Sequence, residues 1–228
     1  MLNQVKDYLY SNRHPVLVRK IVHLYNLFQW NKFNKIGSGN KISIGSSILK
    51  KCHFSISGNG NEVVISDLNS LINCRIIIRG NNNKVYLGNK NRLNETELWI
   101  EDDNNTINIG NENVVAGSVQ IAVIEGTSVD IGNDCLFSKG ISLRTGDSHS
   151  ILDNSSGKRI NFSKSIKIGS HVWFGYRAVI LKGVEILDDS VIASSAVVTK
   201  AFGEKNIAIG GNPARILSEN ISWDTERL

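Results

Sequence analysis

The chain has 228 residues, 41% of them hydrophobic and 21% charged, with 20 Gly and 2 Pro. That is enough chain for a real core, and the composition excludes collagen, coiled coil and intrinsic disorder. The formal net charge of +5 sits wholly in residues 1–35, where Lys6, Arg13, Arg19, Lys20, Lys32 and Lys35 face only Asp7, so the rest of the chain is neutral and no nucleic-acid partner is expected.

Residues 1–35 read as a basic helical segment. Leu17, Ile21, Leu24 and Phe28 follow i, i+4, i+7, i+11, with Pro15 at a first helical position and Ser11 or Asn12 before it. The spacing predicts a basic, amphipathic helix. Its plain role is to cap the open end of the following domain. A second role is peripheral contact with an anionic membrane face; capping is preferred, because firm attachment takes several cations. No apolar run approaches the ~20 residues of a membrane span. Arg19 and Lys20 interrupt the most apolar early stretch, which argues against a signal peptide. Cys52, Cys74 and Cys135 are too few and scattered for a disulfide framework or a thiolate zinc site. A cytoplasmic protein is expected, with residues 1–35 able to reach the inner face of the membrane.

Residues 36–217 are built on a repeat. The pairs Val63/Ile65, Val85/Leu87, Ile107/Ile109 and Val129/Ile131 recur every 22 residues, and Gly-Asn follows Leu87, Ile109 and Ile131. Within each period lies a ruler of six: Ile65, Leu71, Ile77; Leu87, Leu93, Trp99; Ile109, Val115, Ile121; Ile131, Phe137, Leu143. A step of ten follows each triplet. From Ile168 the ruler is uniform, through Phe174, Ile180, Ile186, Ile192 and Val198. Six is neither a helical period nor the period of a flat strand. It fits a chain that runs one short strand, turns a corner and repeats, with one inward side chain on each side of a triangular coil. Stacked coils bury one another's apolar edges as a parallel β-helix. Gly and the Asn clusters near 58–61, 80–83 and 103–105 suit the corners.

The ruler breaks between Leu143 and Ile168, where 25 residues stand in place of six. The surplus predicts a loop over 144–162, and insertions on one face of a solenoid mark its binding face. The loop holds His149 in Gly146-Asp147-Ser148-His149-Ser150, and His171 follows a coil later. His149 is the candidate general base and His171 the weaker one, with hydrogen bonding at a corner as its plain role. Asp147 either orients the imidazole or closes an Asx turn. No nucleophile elbow is present, and adjacency of Ser148 to His149 does not place the hydroxyl on the ring. No close histidine pair offers a metal site, so no metal is expected. Residues 218–228 are read as a tail.

The runs Ile166-Lys-Ile-Gly-Ser-His-Val-Trp-Phe-Gly175, Ala178-Val-Ile-Leu-Lys-Gly-Val184, Ser195-Ala-Val-Val-Thr-Lys200 and Gly210-Gly-Asn-Pro-Ala-Arg215 resemble the hexapeptide-repeat acyltransferases, above all the bacterial sugar and capsular polysaccharide O-acetyltransferases. The close likeness covers about 143–217. It implies an all-β, left-handed parallel β-helix, a homotrimer with sites between subunits, and acetyl-CoA as donor. By match to the family's loop histidine, His149 deprotonates an acceptor hydroxyl that attacks the thioester directly. Trp173 matches a position lining the donor and acceptor site. Gly175, Tyr176, Ser194 and Thr199 match positions along the pantetheine channel, and Lys200 and Arg215 match positions meeting CoA phosphates. One departure stands out: Ala193-Ser194-Ser195-Ala196 replaces the family's Gly-Ala-Gly-Ser, which narrows backbone approach there.

The expected function is O-acetylation of a bacterial surface polysaccharide, capsular or lipopolysaccharide, or of its sugar precursor. N-acetylation of a nucleotide-linked amino sugar is an alternative from the same chemistry. From another class, a non-catalytic β-helix could bind glycans along Asn-rich faces; such a solenoid has no need of the loop bearing His149.

Overall fold

The structure, a computed structural model, describes residues 15–226. Short strands and corners alternate as the ruler requires, and each strand pairs with the one a coil later. Among the described residues the strands form three sheets, the sides of a prism. The first has eight strands, from Lys32–Ile36 to Val197–Val198; the second has seven, from Lys41–Ile44 to Glu185–Ile186. The third has nine, from Ile48–Lys50 to Ala214–Ser218. Within these sheets every described strand pairing is parallel except the closing hairpin of Ala208–Gly211 with Ala214–Ser218, and Leu152 and Arg159 form an isolated antiparallel bridge in the loop.

The inward side chains make one continuous column. Val63 lies over Val85, Ile107 and Val129, and Leu71 over Leu93. Phe137 and Phe174 stack in the same column with ring centroids 4.2 Å apart. Fully buried aliphatic and aromatic side chains from Leu49 to Ala214 form a single cluster, the dominant favourable term for a fold of this kind.

The asparagines do more than turn corners. Asn61, Asn83 and Asn105 are wholly buried, as are Asn69, Asn91 and Asn113. Each amide oxygen accepts the backbone N–H of the residue one coil on, as from Asn83 N to Asn61 (2.9 Å), Asn105 N to Asn83 (2.8 Å) and Cys135 N to Asn113 (2.8 Å). These ladders satisfy corner groups that would otherwise be buried without partners. The left-handed backbone at corners falls to other residues, among them Asn82, Asn104, Arg177 and Ser195.

Two anchors differ from the ruler. Trp99 and Ile77 point outward from the first sheet, and Leu98, Ile100, Ile76 and Ile78 fill the core instead. Trp99 pairs with Ala122, 23 residues on, because the corner Ala116–Val119 is one residue longer than Asn94–Thr96. A one-residue offset exchanges the faces of a strand.

The helix Pro15–Leu27 lies against the strand Ile48–Lys50. Its buried residues are Val18 and Val22, packed with Ile48 and Tyr25. The stripe Leu17, Ile21, Leu24 and Phe28 is exposed, from 43% at Ile21 to 72% at Phe28, so the helix packs by the neighbouring face of Val18 and Val22 and not by the stripe. The helix does cap the stack at the third sheet. The Asn26 side chain donates to Ser47 O (2.9 Å) and accepts from Leu49 N (2.9 Å), and Gln29 O accepts from Lys51 N (2.8 Å). It thus replaces the missing neighbour strand. Ser11 and Asn12, the expected start signals, lie outside the described residues. No described helix is long and apolar enough to cross a membrane.

Candidate active site

The insertion leaves the first sheet after Ser142–Arg144 and rejoins the second at Ile166–Ile168, so it springs from the corner between those sheets. Its own large apolar side chains do not hold it: Ile151, Leu152, Ile160 and Phe162 are all exposed. Polar staples do. Below, Glu125 of the preceding coil pairs with Arg159 (2.6 Å) and accepts from Ser163 N (3.1 Å). Above, Lys182 of the following coil donates to the Asp147 carboxylate and to Asn161 O (3.0 Å).

Asn161 is the buried hub between them. Its amide nitrogen donates to Asp147 (2.9 Å) and to the carbonyl of His149 (2.8 Å), and its oxygen accepts from Ile151 N (2.8 Å) and Arg159 (3.1 Å). Both staple carboxyls are held below the ordinary carboxylate range, Asp147 chiefly by the Lys182 hydrogen bond and Glu125 chiefly by the Arg159 hydrogen bond. Asp147 therefore fixes the loop backbone and does not orient the imidazole; it receives the His149 N–H only through its carbonyl (2.8 Å).

His149 is exposed, and among the described residues its imidazole has no hydrogen-bond partner. A ring fixed at its backbone and free at both nitrogens can accept a proton from an incoming hydroxyl. His171 is committed. Its Nδ1 lies 2.9 Å from Asp189, its ring stacks on Trp223 at 4.2 Å, and its carbonyl accepts from the Trp223 indole (2.9 Å). Sequence reasoning missed Asn161, Lys182 and Trp223: none carries a local signal, and each acts through a contact distant along the chain.

The remaining predicted residues fall into two groups. Trp173, 40% exposed, stands on the third sheet, and Tyr176 and Ser194 stack at the corner between the third and first sheets, where Ser195 N donates to Tyr176 O (2.8 Å). Thr199 and Lys200 stand at the loop's own corner, one coil beyond Lys182, and Arg215 is exposed on the final hairpin strand. Lys200 and Arg215 have no carboxylate partner among the described residues, and Lys200 lies 5.6 Å from the Phe202 ring centroid. A single chain thus keeps Trp173 and His149 on different sides of the prism.

Gly175 has a structural reason of its own: a Cβ there would lie 2.5 Å from Ser194 N, so coil stacking demands glycine. Ser195 adopts φ 59 without being glycine, as Arg177 does one coil earlier at φ 58. The glycine-free corner is therefore built like its neighbour. Burial pushes the Cys135 thiol up to about 12, and all three thiols are buried, which suits packing rather than reactivity. No group of three His, Cys, Asp or Glu side chains among the described residues is placed to hold a metal ion.

No family model matches the sequence. The polysialic acid O-acetyltransferase of Escherichia coli O1:K1 / APEC is 39% identical over 90 residues, 40% of this chain and 29% of its own length. The enzyme of that name from Neisseria meningitidis is 32% identical over 90 residues, 40% of this chain and 42% of its own. These matches span less than half of either relative.

Solved structures extend the likeness along the chain. The polysialic acid O-acetyltransferase OatWY superposes with a TM-score of 0.83 at 30% identity, covering 87% of this chain and 92% of that one. The polySia specific acetyltransferase NeuO gives 0.79 at 29% identity, covering 86% and 89%. With the coil stack and the inserted loop, this places the chain: it belongs to the left-handed β-helix, hexapeptide-repeat acyltransferases and is most similar to those that O-acetylate capsules.

Proposed function

We propose that the protein transfers an acetyl group from acetyl-CoA to a hydroxyl of a bacterial surface polysaccharide, capsular or lipopolysaccharide, or of its sugar precursor. The observation that carries this reading is the loop: two coils and a buried Asn161 hold the backbone of His149 while its imidazole stays exposed and unpartnered. The likeness to polysialic acid O-acetyltransferases supports the acceptor class.

His149 takes the proton of the acceptor hydroxyl, and the oxygen attacks the thioester carbonyl directly, so no acyl-enzyme forms. A positioned base of this kind is worth about 10²–10⁴ in rate. Trp173, Gly175, Tyr176, Ser194 and Thr199 line the donor channel, and Lys200 and Arg215, exposed and without carboxylate partners among the described residues, meet the CoA phosphates. Trp173 also serves the reacting end. Because His149 and Trp173 stand on different sides of one prism, the complete site takes two copies, which favours a homotrimer with sites in its clefts.

The glycan-binding scaffold is disfavoured because Asn61, Asn69, Asn83, Asn91, Asn105 and Asn113 are spent in buried corner ladders, and the exposed Asn59, Asn89 and Asn111 and the half-buried Asn81 are engaged in ladders of their own. A cytoplasmic location, with access to the inner face of the membrane, follows from the acetyl-CoA requirement and from the exposed stripe Leu17, Ile21, Leu24 and Phe28 beside Arg19 and Lys20.

Release of free CoA thiol from acetyl-CoA, measured with a panel of capsular and lipopolysaccharide glycans, tests the reading. Acceptor-dependent release that drops at least about 10²-fold in His149→Ala is expected. No release with any glycan, together with no CoA binding, returns the chain to the scaffold class.

A further inference from the structure

The outward offset of Trp99 builds something the transfer chemistry does not by itself require. A hollow of about 290 Å³ opens on the first sheet, walled by Trp99, Gln120, Ala122, Arg144 and two carboxylates, Glu97 and Glu101, the latter facing Arg79 at 3.9 Å, and it reaches Ser148 of the loop. That is the lower end of small-ligand cavities, the size for one sugar ring. Its floor follows from register: Trp99, Ala122 and Arg144 are successive outward residues on three adjacent strands. Small Ala122 leaves a gap on the strand between those of Trp99 and Arg144, whose backbones are two strand spacings, about 10 Å, apart.

Both walls are held in place. The Arg79 guanidinium lies 4.9 Å from the Trp99 ring centroid. Arg75 pairs with Glu97 (2.9 Å), Gln120 donates to the other Glu97 oxygen (2.7 Å), and Arg144 donates to the Gln120 carbonyl (2.7 Å). This relay neutralises Glu97 with Arg75 and orients Arg144 through a neutral amide. Among the described residues Arg144 has no other hydrogen bond, so most of its five donors remain free. A guanidinium anchored by one hydrogen bond, with free donors beside an aromatic wall, suits a sugar that carries a carboxylate.

We propose that this hollow is an acceptor subsite in which Arg144 binds the carboxylate of one acidic sugar, Trp99 packs on its ring, and the next sugar of the polymer is delivered past Ser148 to His149. The use made of the bound sugar rests on the acetyl-transfer reading; the binding does not.

Isothermal titration of the full chain with a sialic acid hexamer and with maltohexaose tests the subsite. The acidic hexamer binds and the neutral one does not. Arg144→Gln weakens the acidic hexamer about tenfold or more, and Trp99→Ala weakens it about fivefold. Trp99→Phe retains most of the affinity, which separates loss of the aromatic wall from loss of the fold. Absence of hexamer binding to the wild type, equal binding of both hexamers, or unchanged affinity in both Arg144→Gln and Trp99→Ala overturns the subsite. Binding that needs Trp99 and Arg144 without any acetyl transfer keeps the subsite and removes the transferase reading. Transfer with unaltered affinity in both variants does the reverse.

Discussion

The early and late coils of the solenoid solve the same packing problem differently. Before the loop the corner ladders link residues 22 apart, and after it the corner bonds link residues 18 apart. The additional residues lie on the first-sheet side. Its early strands, such as Arg75–Arg79 and Thr96–Glu101, turn three side chains outward, whereas Val179–Ile180 turns out only one. Corner chemistry changes too, from Asn69, Asn91 and Asn113 to Cys135, Val172 and Ser190. Both kinds of coil share the hydrocarbon column; the wide coils add a broad polar face on an amide-laddered frame, and the loop leaves at the junction. Length on one side of a coil is surface for recognition.

Core deletions break this comparison most sharply. Phe174→Ala removes the ring stacked on Phe137 and is expected to cost about 4 kcal/mol. Asn83→Ala strips the Asn105 backbone N–H and the Asp102 carbonyl of buried partners, at a cost of about 3 kcal/mol. Amide hydrogen exchange reads each coil separately: protection should fall in the wide coils for Asn83→Ala and in the narrow coils for Phe174→Ala. Loss confined to the narrow coils in both variants contradicts the distinction.

At the junction, Asn161→Ala removes four hydrogen bonds that fix the loop and leaves the column untouched. Acetyl transfer should fall about 10²-fold through misplacement of His149, and trypsin should cut sooner after Lys158. Unchanged cleavage would show that the charged staples suffice.

Acid is a gentler probe of the same joint. Asp147 and Glu125 have depressed pKa values in the folded chain, so their contribution is present above the ordinary carboxylate range and is lost as pH falls through the folded values. The loop should become protease-sensitive below about pH 4 while exchange protection of the column persists. Simultaneous loss of both would mean that loop and column melt as one unit.

Much of this architecture was legible because the inward positions are single large aliphatics at fixed spacing: Ile168, Phe174, Ile180, Ile186, Ile192 and Val198 are all in the core. The loop was legible as a break in that ruler. Trp99 was not, because one extra residue in the corner Ala116–Val119 offsets the first sheet while the next corner is one residue shorter and restores the period of 22. An apolar residue at an anchor number carries no sign of that offset. Which face of the helix packs was not legible for a related reason. Val18 and Val22 adjoin the equally apolar Leu17 and Ile21, and the choice of face is made by Asn26, which must reach Ser47 and Leu49. His149 could be found from its place in the insertion; Asn161 and Lys182, which hold its loop, depend on contacts that no local spacing encodes.

The smallest expected effect separates the two histidines. His171 sits at a narrow-coil corner with φ 54, its ring against Trp223 and its Nδ1 on the half-exposed Asp189. A pair this open to solvent is worth less than about 1 kcal/mol. Asp189→Asn should therefore leave the melting temperature within a few degrees, and His171→Gln should lower it somewhat further through the lost stack on Trp223. Neither substitution touches the loop. Acetyl transfer should then stay within about threefold of wild type in both, against the loss of about 10²-fold or more for His149→Ala. A collapse of the rate in His171→Gln with its melting temperature intact would transfer the general base to the narrow coils.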